Sequence, residues 1–234
     1  MLTESGSKAR RWDQYDAYLF DIDGTLLHCG DAVHYFAFCD AVSRIVGRPC
    51  NLDGVTAHGN TDVGILRDAL RLADVPEGQW RPLLTEIRSQ MCRFVEQRAT
   101  DLCVTVLPAA RNVLNHLRSQ GAVLGVATGN LERIGRLKLR RCGLLDFFDF
   151  GGYSDPFEYR RDVFRGALEQ ARIIAGADAE VCVIGDTPED VRSAKVNGLD
   201  VIAVATGIYS FDELQAERPH WCLSSLAELI DDSA

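Results

Sequence analysis

The chain has 234 residues, 47% of them hydrophobic and 25% charged, enough for one good core plus a small accessory unit. No apolar run approaches the roughly 20 residues that a membrane helix needs. The net charge of -9 argues against a nucleic-acid duplex as partner. It leaves an anionic substrate open, because a bound cation or a few arginines can reverse the potential inside one cleft.

The polar start MLTESGSKARRWDQYD lacks the apolar centre of a signal peptide and reads as a short mobile lead-in. Residues 17–23, AYLFDID, begin apolar and end on two aspartates, the pattern of a buried strand that delivers polar groups at its C-terminal end. The stretch 30–105 reads as helical throughout, with helices predicted over 31–46, 61–72 and 80–99. Strand and helix then alternate. Residues 108–121 form a helix that Pro108 opens and Gly121 caps. Residues 122–130, AVLGVATGN, form a strand, and a helix follows over 131–143. A shorter strand lies near 147–152, followed by a helix over 164–174, a strand over 181–187, a helix over 188–197 and a strand over 200–207.

This alternation predicts an α/β fold with right-handed crossovers and a parallel sheet, in which ligands bind beyond the carboxyl ends of the strands. The polar residues Asp21, Asp23, Thr128 and Asp186 fall at those ends. Residues 1–29 and 106–234 are therefore expected to form a catalytic core, and 30–105 an inserted helical cap domain. The eight cysteines, Cys29, Cys39, Cys50, Cys92, Cys103, Cys142, Cys182 and Cys222, show neither CxxC nor zinc-site spacing. They read as reduced thiols of a cytoplasmic protein.

The sharpest motif is DIDGTLL, residues 21–27. Carboxylates at i and i+2 of an extended strand point to the same side. Asp21 can then serve as nucleophile while Asp23 transfers a proton beside it. Gly24 lets the chain turn sharply next to a substrate. VATGN places the Thr128 hydroxyl, Gly129 and Asn130 at the start of a helix, a setting that suits a phosphoryl group or a plain N-cap. GDTPED places Asp186 at a strand end and Asp190 four residues on. These carboxylates suit magnesium, or the cap of the helix opened by Pro188.

In order and spacing these three motifs resemble the first, second and fourth motifs of the haloacid dehalogenase-like hydrolase superfamily, over about residues 15–227. The resemblance implies a Rossmann-like three-layer core with a helical cap inserted after the first motif. It implies an aspartyl-phosphate on Asp21, with Asp23 as acid and base and Thr128 on the phosphoryl oxygens. It implies Mg2+ held by the Asp21 carboxylate, the Asp23 carbonyl and Asp186, with Asp190 supporting the site directly or through water. The family's third-motif lysine is absent from GGYSDPFEYRRDVF. Arg160, or failing it Arg161, is expected to supply that charge, since an arginine can hold phosphate bidentately. Lys138 and Lys195, both in predicted helices, rank below this pair.

Asp23 separates the chain from metal-free dehalogenases, which lack it, and from the phosphonate-cleaving branch, which carries a small residue there. The cap stretch HGNTDVGIL, residues 58–66, resembles the phosphoglycolate-phosphatase-like branch. There His58, Asn60, Thr61 and Asp62 are candidate cleft residues, and Asn60 or Thr61 is equally an N-cap. The expectation is a cytoplasmic Mg2+-dependent phosphatase for a small phosphorylated metabolite, with no nucleic-acid or membrane partner. A sugar-phosphate mutase and an inactive binding module are the alternatives.

Overall fold

The computed structural model describes residues 11–231, so the first ten residues of the expected lead-in lie outside the described residues. The rest of that lead-in is anchored. The Tyr18 hydroxyl donates to the Trp12 carbonyl at 2.8 Å, and the Trp12 ring lies 5.2 Å from that of His116. β1 (Ala17–Phe20) is buried along its whole length. Its side chains alternate between two cores, Ala17 and Leu19 into one, Tyr18 and Phe20 into the other.

β2 (Leu27–Cys29) leaves the sheet and pairs antiparallel with β3 (Val104–Val106). Val104 and Thr105, expected to be helical, thus belong to a two-stranded ribbon at the base of the insertion. Between the two strands run α1 (Val33–Ala41), which continues as a π-helical turn over Val42–Val46, α2 (Asp62–Leu72), α3 (Glu77–Trp80) and α4 (Leu84–Gln97). The third expected helix is split because Pro82 sits in a 3-10 turn, Arg81–Leu83, and cannot donate the hydrogen bond a continuous helix would need. Phe38, Leu66, Leu70, Ile87 and Met91 form the core of these helices.

The remaining elements alternate as expected, with additions at the C-terminal end. They are α5 (Ala110–Ser119), β4 (Val123–Ala127), α6 (Glu132–Arg141), β5 (Phe150–Gly152), α7 (Arg160–Ala175), β6 (Val181–Gly185), α8 (Pro188–Val196), β7 (Asp200–Val204), α9 (Phe211–Ala216), β8 (Trp221–Leu223) and α10 (Ala227–Asp231). The sheet order is β5-β4-β1-β6-β7-β8, and every pairing in it is parallel. α5 and α10 pack on one face around Tyr18, Phe20 and Val126, while α7, α8 and α9 pack on the other around Leu19, Val183 and Val201. The core is therefore Rossmann-like and three-layered. α7 begins four residues earlier than expected, which makes Arg160 its first residue. β8 and α9 were not anticipated: WCL is a short half-buried edge strand with no long apolar run to mark it.

β1 lies between β4 and β6, the point where the chain's path through the sheet reverses direction. A crevice opens beyond the carboxyl ends of strands at such a switch point. α6 bridges the two parts of the molecule: Leu139 packs in the sheet core, whereas Leu131 and Ile134 pack among the helices of the insertion.

Candidate active site

Asp21 follows the last residue of β1, and its amide donates to the Ile184 carbonyl of β6 at 2.9 Å. Beyond it the chain turns back at once, with the Leu26 amide on the Ile22 carbonyl at 2.9 Å and the Gly24 amide on the Leu27 carbonyl at 2.8 Å. Gly24 has φ of +84°, a backbone conformation costly for other residues, and a Cβ there would collide with the Asp186 carboxylate. A Cβ on Gly207, after β7, would meet the same carboxylate. Two glycines therefore keep backbone close to Asp186 without covering it. Thr25 Oγ1 donates to Asp186 Oδ1 at 3.1 Å.

Asp21, Asp186 and Asp190 are buried, and one oxygen of each lies within 4.8 Å of the others. Arg160, at the first turn of α7, faces them: Nη2 lies 2.8 Å from Asp21 Oδ1 and 2.6 Å from Asp190 Oδ1. These contacts are close but poorly directed. Nε and Nη2 of Arg160 and Oδ1 of Asp190 are buried without a hydrogen-bond partner. The other oxygen of Asp190 caps α8, accepting from the Thr187 hydroxyl at 2.7 Å and the Thr187 amide at 3.1 Å. Burial pushes the Asp21 carboxyl up to about 6, against the pull of Arg160 and with added repulsion from Asp190 and Asp23. Burial, then repulsion from Asp21 and Asp190, raises Asp186 well above the ordinary carboxylate range. One guanidinium does not balance three crowded acids.

Asp23 stands apart from that cluster, in a second ion pair. Lys138 Nζ lies 2.9 Å from its Oδ1 and 2.8 Å from its Oδ2, and Asn130 Nδ2 donates to Oδ2 at 2.8 Å. Loss of hydration in the cleft favours the neutral acid, but Lys138 and Asn130 outweigh it and hold Asp23 below the usual carboxylate range. Lys138 also donates to Asn130 Oδ1 at 2.9 Å and lies 3.3 Å from His34 Nδ1 on α1. The opposite ring nitrogen of His34 lies 3.2 Å from Asp62 Oδ2. A chain of polar contacts thus runs from Asp23 into the inserted helices.

Lys138 ranked below the arginine pair in the sequence, yet its ammonium is buried beside Asp23. A signal for it was present. Leu131, Ile134 and Lys138 stand at i, i+3 and i+7, so the lysine occupies the apolar stripe of α6.

The loop after β4 brings Thr128, Gly129 and Asn130 to the same crevice. Thr128 is held by its amide on the Gly152 carbonyl at 3.1 Å, and its hydroxyl accepts from Asn130 Nδ2 at 2.8 Å. The amides at the start of α6 are not free to receive a phosphoryl group. Leu131 donates to Asp62 Oδ2 at 2.8 Å and Glu132 to Asp155 Oδ2 at 2.7 Å. Gly129 touches the insertion: its carbonyl accepts from the Asp62 amide at 2.7 Å, and Asn60 leaves no room for a Cβ.

Two expected substrate-binding residues are not brought here. Thr61 is the N-cap of α2, accepting from the Gly64 amide at 2.9 Å and donating to the Glu158 carbonyl at 2.6 Å. Arg161 is exposed, its guanidinium 4.9 Å from the centre of the Tyr159 ring, and lines a neighbouring hollow instead. Lys195 is further removed, with Nζ on the Glu217 carbonyl at 2.5 Å.

Asp21, Asp23, Thr128, Gly129, Asn130, Lys138, Arg160 and Asp186 all border one cavity of about 470 Å³, which α1 and the 52–62 stretch close from the other side. A hydroxyl, two cations and a group of acids around one cleft suit the handling of an anionic ester with a metal ion.

Comparison with known proteins agrees with that chemistry. Residues 18–204 match the family model described as haloacid dehalogenase-like hydrolase. A protein named Probable phosphatase IndB, from Dickeya dadantii, is 27% identical over 214 residues, covering 91% of this chain and 90% of that protein. A phosphoglycolate phosphatase of Cereibacter sphaeroides is 28% identical over 218 residues, covering 92% of this chain and 95% of that one. Among solved structures, CbbY from Rhodobacter sphaeroides in complex with phosphate superimposes with a TM-score of 0.70 at 21% identity, over 92% of this chain and 96% of that one. A hydrolase from Pseudomonas syringae does so with a TM-score of 0.66 at 19% identity, over 94% and 99%.

Proposed function

Since the chain belongs to the haloacid dehalogenase-like hydrolases and is a phosphohydrolase, we propose that it hydrolyses a small phosphomonoester, with Asp21 as nucleophile and Asp23 as general acid and base. The observation that carries this reading is the separation of two carboxylates with different partners in one crevice. Asp21 faces Arg160 among acids, and Asp23 is held by Lys138 and Asn130. An Asp21 oxygen attacks phosphorus, the bond to the ester oxygen breaks, and Asp23, which must first take up a proton from water against the pull of Lys138, gives it to that oxygen. Asp23 then takes a proton from water, whose oxygen attacks phosphorus and releases phosphate and Asp21. Arg160, with two buried nitrogens lacking hydrogen bonds, and Thr128 hold the phosphoryl oxygens, with Gly129 and Asn130 flanking them.

The donor set fits Mg2+. Three buried carboxylates face one guanidinium, Asp190 Oδ1 has no hydrogen bond, and Gly24 and Gly207 leave the Asp186 carboxylate accessible. Asp21, Asp186 and the Asp23 carbonyl would hold the ion, with Asp190 direct or through water. When bound, it neutralises charge on the phosphoryl oxygens.

In this reading residues 30–105 act as a cap that excludes water during the first step. Eight free cysteines fit a reducing cytoplasm. Among the described residues no helix is long and apolar enough to cross a membrane. The test is Mg2+-dependent release of phosphate from a generic ester by wild type and Asp21→Asn. Equal activity in the two would overturn the nucleophile assignment.

A further inference from the structure

We propose that the alcohol released from the ester is uncharged or cationic and carries a planar or apolar body, so that an anionic leaving group such as glycolate is disfavoured. This rests on the phosphatase reading above and adds the substrate class to it.

The first argument is charge. Among the described residues five carboxylates border the cavity: Asp21, Asp23, Asp31, Asp62 and Asp186. The Lys or Arg side chains bordering it among those residues are Lys138 and Arg160, and both already have roles, Lys138 on Asp23 and Arg160 on the phosphoryl group and the acids around it. Lys138 spans the two oxygens of Asp23, and Arg160 faces Asp21 and Asp190. The inserted helices carry arginines, but these are drawn elsewhere. Arg67 pairs with Asp68 and Glu158, Arg81 with Glu77 and Glu158, and Arg88 reaches the Asp155 carbonyl. None of them borders the cavity. A divalent cation and a phosphate dianion cancel each other, so their arrival leaves the acids in excess. A second carboxylate on the substrate would be desolvated beside Asp31 or Asp62 with no partner, which is costly.

Among the described residues His28, His34 and His58 also border the cavity. His34 Nδ1 faces the Lys138 ammonium and its Nε2 faces Asp62. Both of its ring nitrogens are thus engaged by groups of the protein. His28 and His58 are exposed, so a charge on either ring is screened by water.

The second argument is the wall. On α1 the His34 ring stacks on Phe38, with centroids 5.3 Å apart and planes 21° from parallel. Tyr35, Leu52 and Ile65 continue this surface along the cavity. Planar and apolar surface of this kind recognises a ring or hydrocarbon body by burial and stacking.

The experiment measures kcat/KM with Mg2+ for benzyl phosphate, 4-carboxybenzyl phosphate and 2-phosphoglycolate, using wild type and Leu52→Arg. Leu52 is a half-buried loop residue on the wall, so the substitution adds a cation at the loss of one apolar contact and leaves every group around the phosphate in place. The expectation is that wild type prefers benzyl phosphate to either carboxylate-bearing ester by about tenfold or more, and that Leu52→Arg narrows the gap between the two benzyl esters. Wild-type preference for 2-phosphoglycolate, or equal use of the two benzyl esters, would overturn the proposal and leave the phosphatase reading intact. A folded Leu52→Arg protein with unchanged discrimination would also overturn it, because the charge balance of this wall would then not control the choice. Failure to cleave any ester would overturn both readings.

Discussion

At the residue scale the site divides its cations. Arg160 is placed among Asp21 and Asp190, and Lys138 is placed on Asp23. Arg160→Ala should lower kcat/KM by about 100-fold or more, the usual loss when one preorganised donor to a phosphoryl group is removed. Steady-state kinetics on a generic ester checks this, and a loss below threefold would show that another group holds the phosphate.

Lys138→Met should act differently. Without the ammonium, desolvation raises the Asp23 pKa, so the part of the pH–rate profile governed by Asp23 should move to higher pH. The loss of kcat should also be larger for an alkyl phosphate than for 4-nitrophenyl phosphate, whose leaving group needs little protonation. An equal loss for both esters with an unmoved profile would assign Lys138 a packing role only.

At the element scale the insertion is tied to the core through short contacts rather than through a large shared interior. The α2 N-terminus is the main tie. Thr61 caps α2 and reaches the Glu158 carbonyl, and the Asp62 amide and carboxylate hold Gly129 and Leu131. Thr61→Ala removes the cap and one cross-contact. It should cost about 1 kcal/mol of stability, read as a lower midpoint in urea unfolding, while the metal requirement stays. If the stability is unchanged but KM rises, Thr61 would instead be a substrate residue, as the sequence allowed. α6 carries both roles of a bridge. Leu131 and Ile134 pack in the insertion, Leu139 packs in the sheet core, and Lys138 between them faces Asp23.

At the scale of the whole molecule the crowded acids make stability depend on metal and pH together. Burial pushes the Asp21 carboxyl up to about 6 in the folded chain, above the usual carboxylate range of about 4, and Asp186 is shifted in the same direction. The metal-free folded chain therefore holds protons in this window that the unfolded chain has released. Its stability from Asp21 is present at low pH and is lost as pH rises through about 4 to 6, and that from Asp186 is lost in the same direction. Mg2+ competes with those protons, so it should raise Tm more at pH 7.5 than at pH 5. Calorimetry at the two pH values checks this, and a larger shift at pH 5 would remove Asp21 and Asp186 from the ligand set.

The sequence by itself determined the sheet and the positions where polar groups emerge from it. Buried parallel strands are continuous apolar runs, and AYLF, VLGVA and VCVIG each end on the residue types that chemistry needs. Local spacing also placed Asp21 and Asp23 beyond one strand end at the same cavity, and Asp186 and Asp190 around one helix start. Short, half-buried β8 and the β2–β3 ribbon lacked such runs and were legible only through their partners.

Tertiary structure alone decided which cations serve the acids. Arg160 and Arg161 are adjacent in sequence and chemically alike, yet one is buried at the first turn of α7 and the other lies exposed against Tyr159. Lys138 is 115 residues from Asp23, and only the packing of α6 between the sheet core and the inserted helices brings it there. Long-range charge pairing has no period in the sequence. It depends on which faces of separate elements the core turns inward.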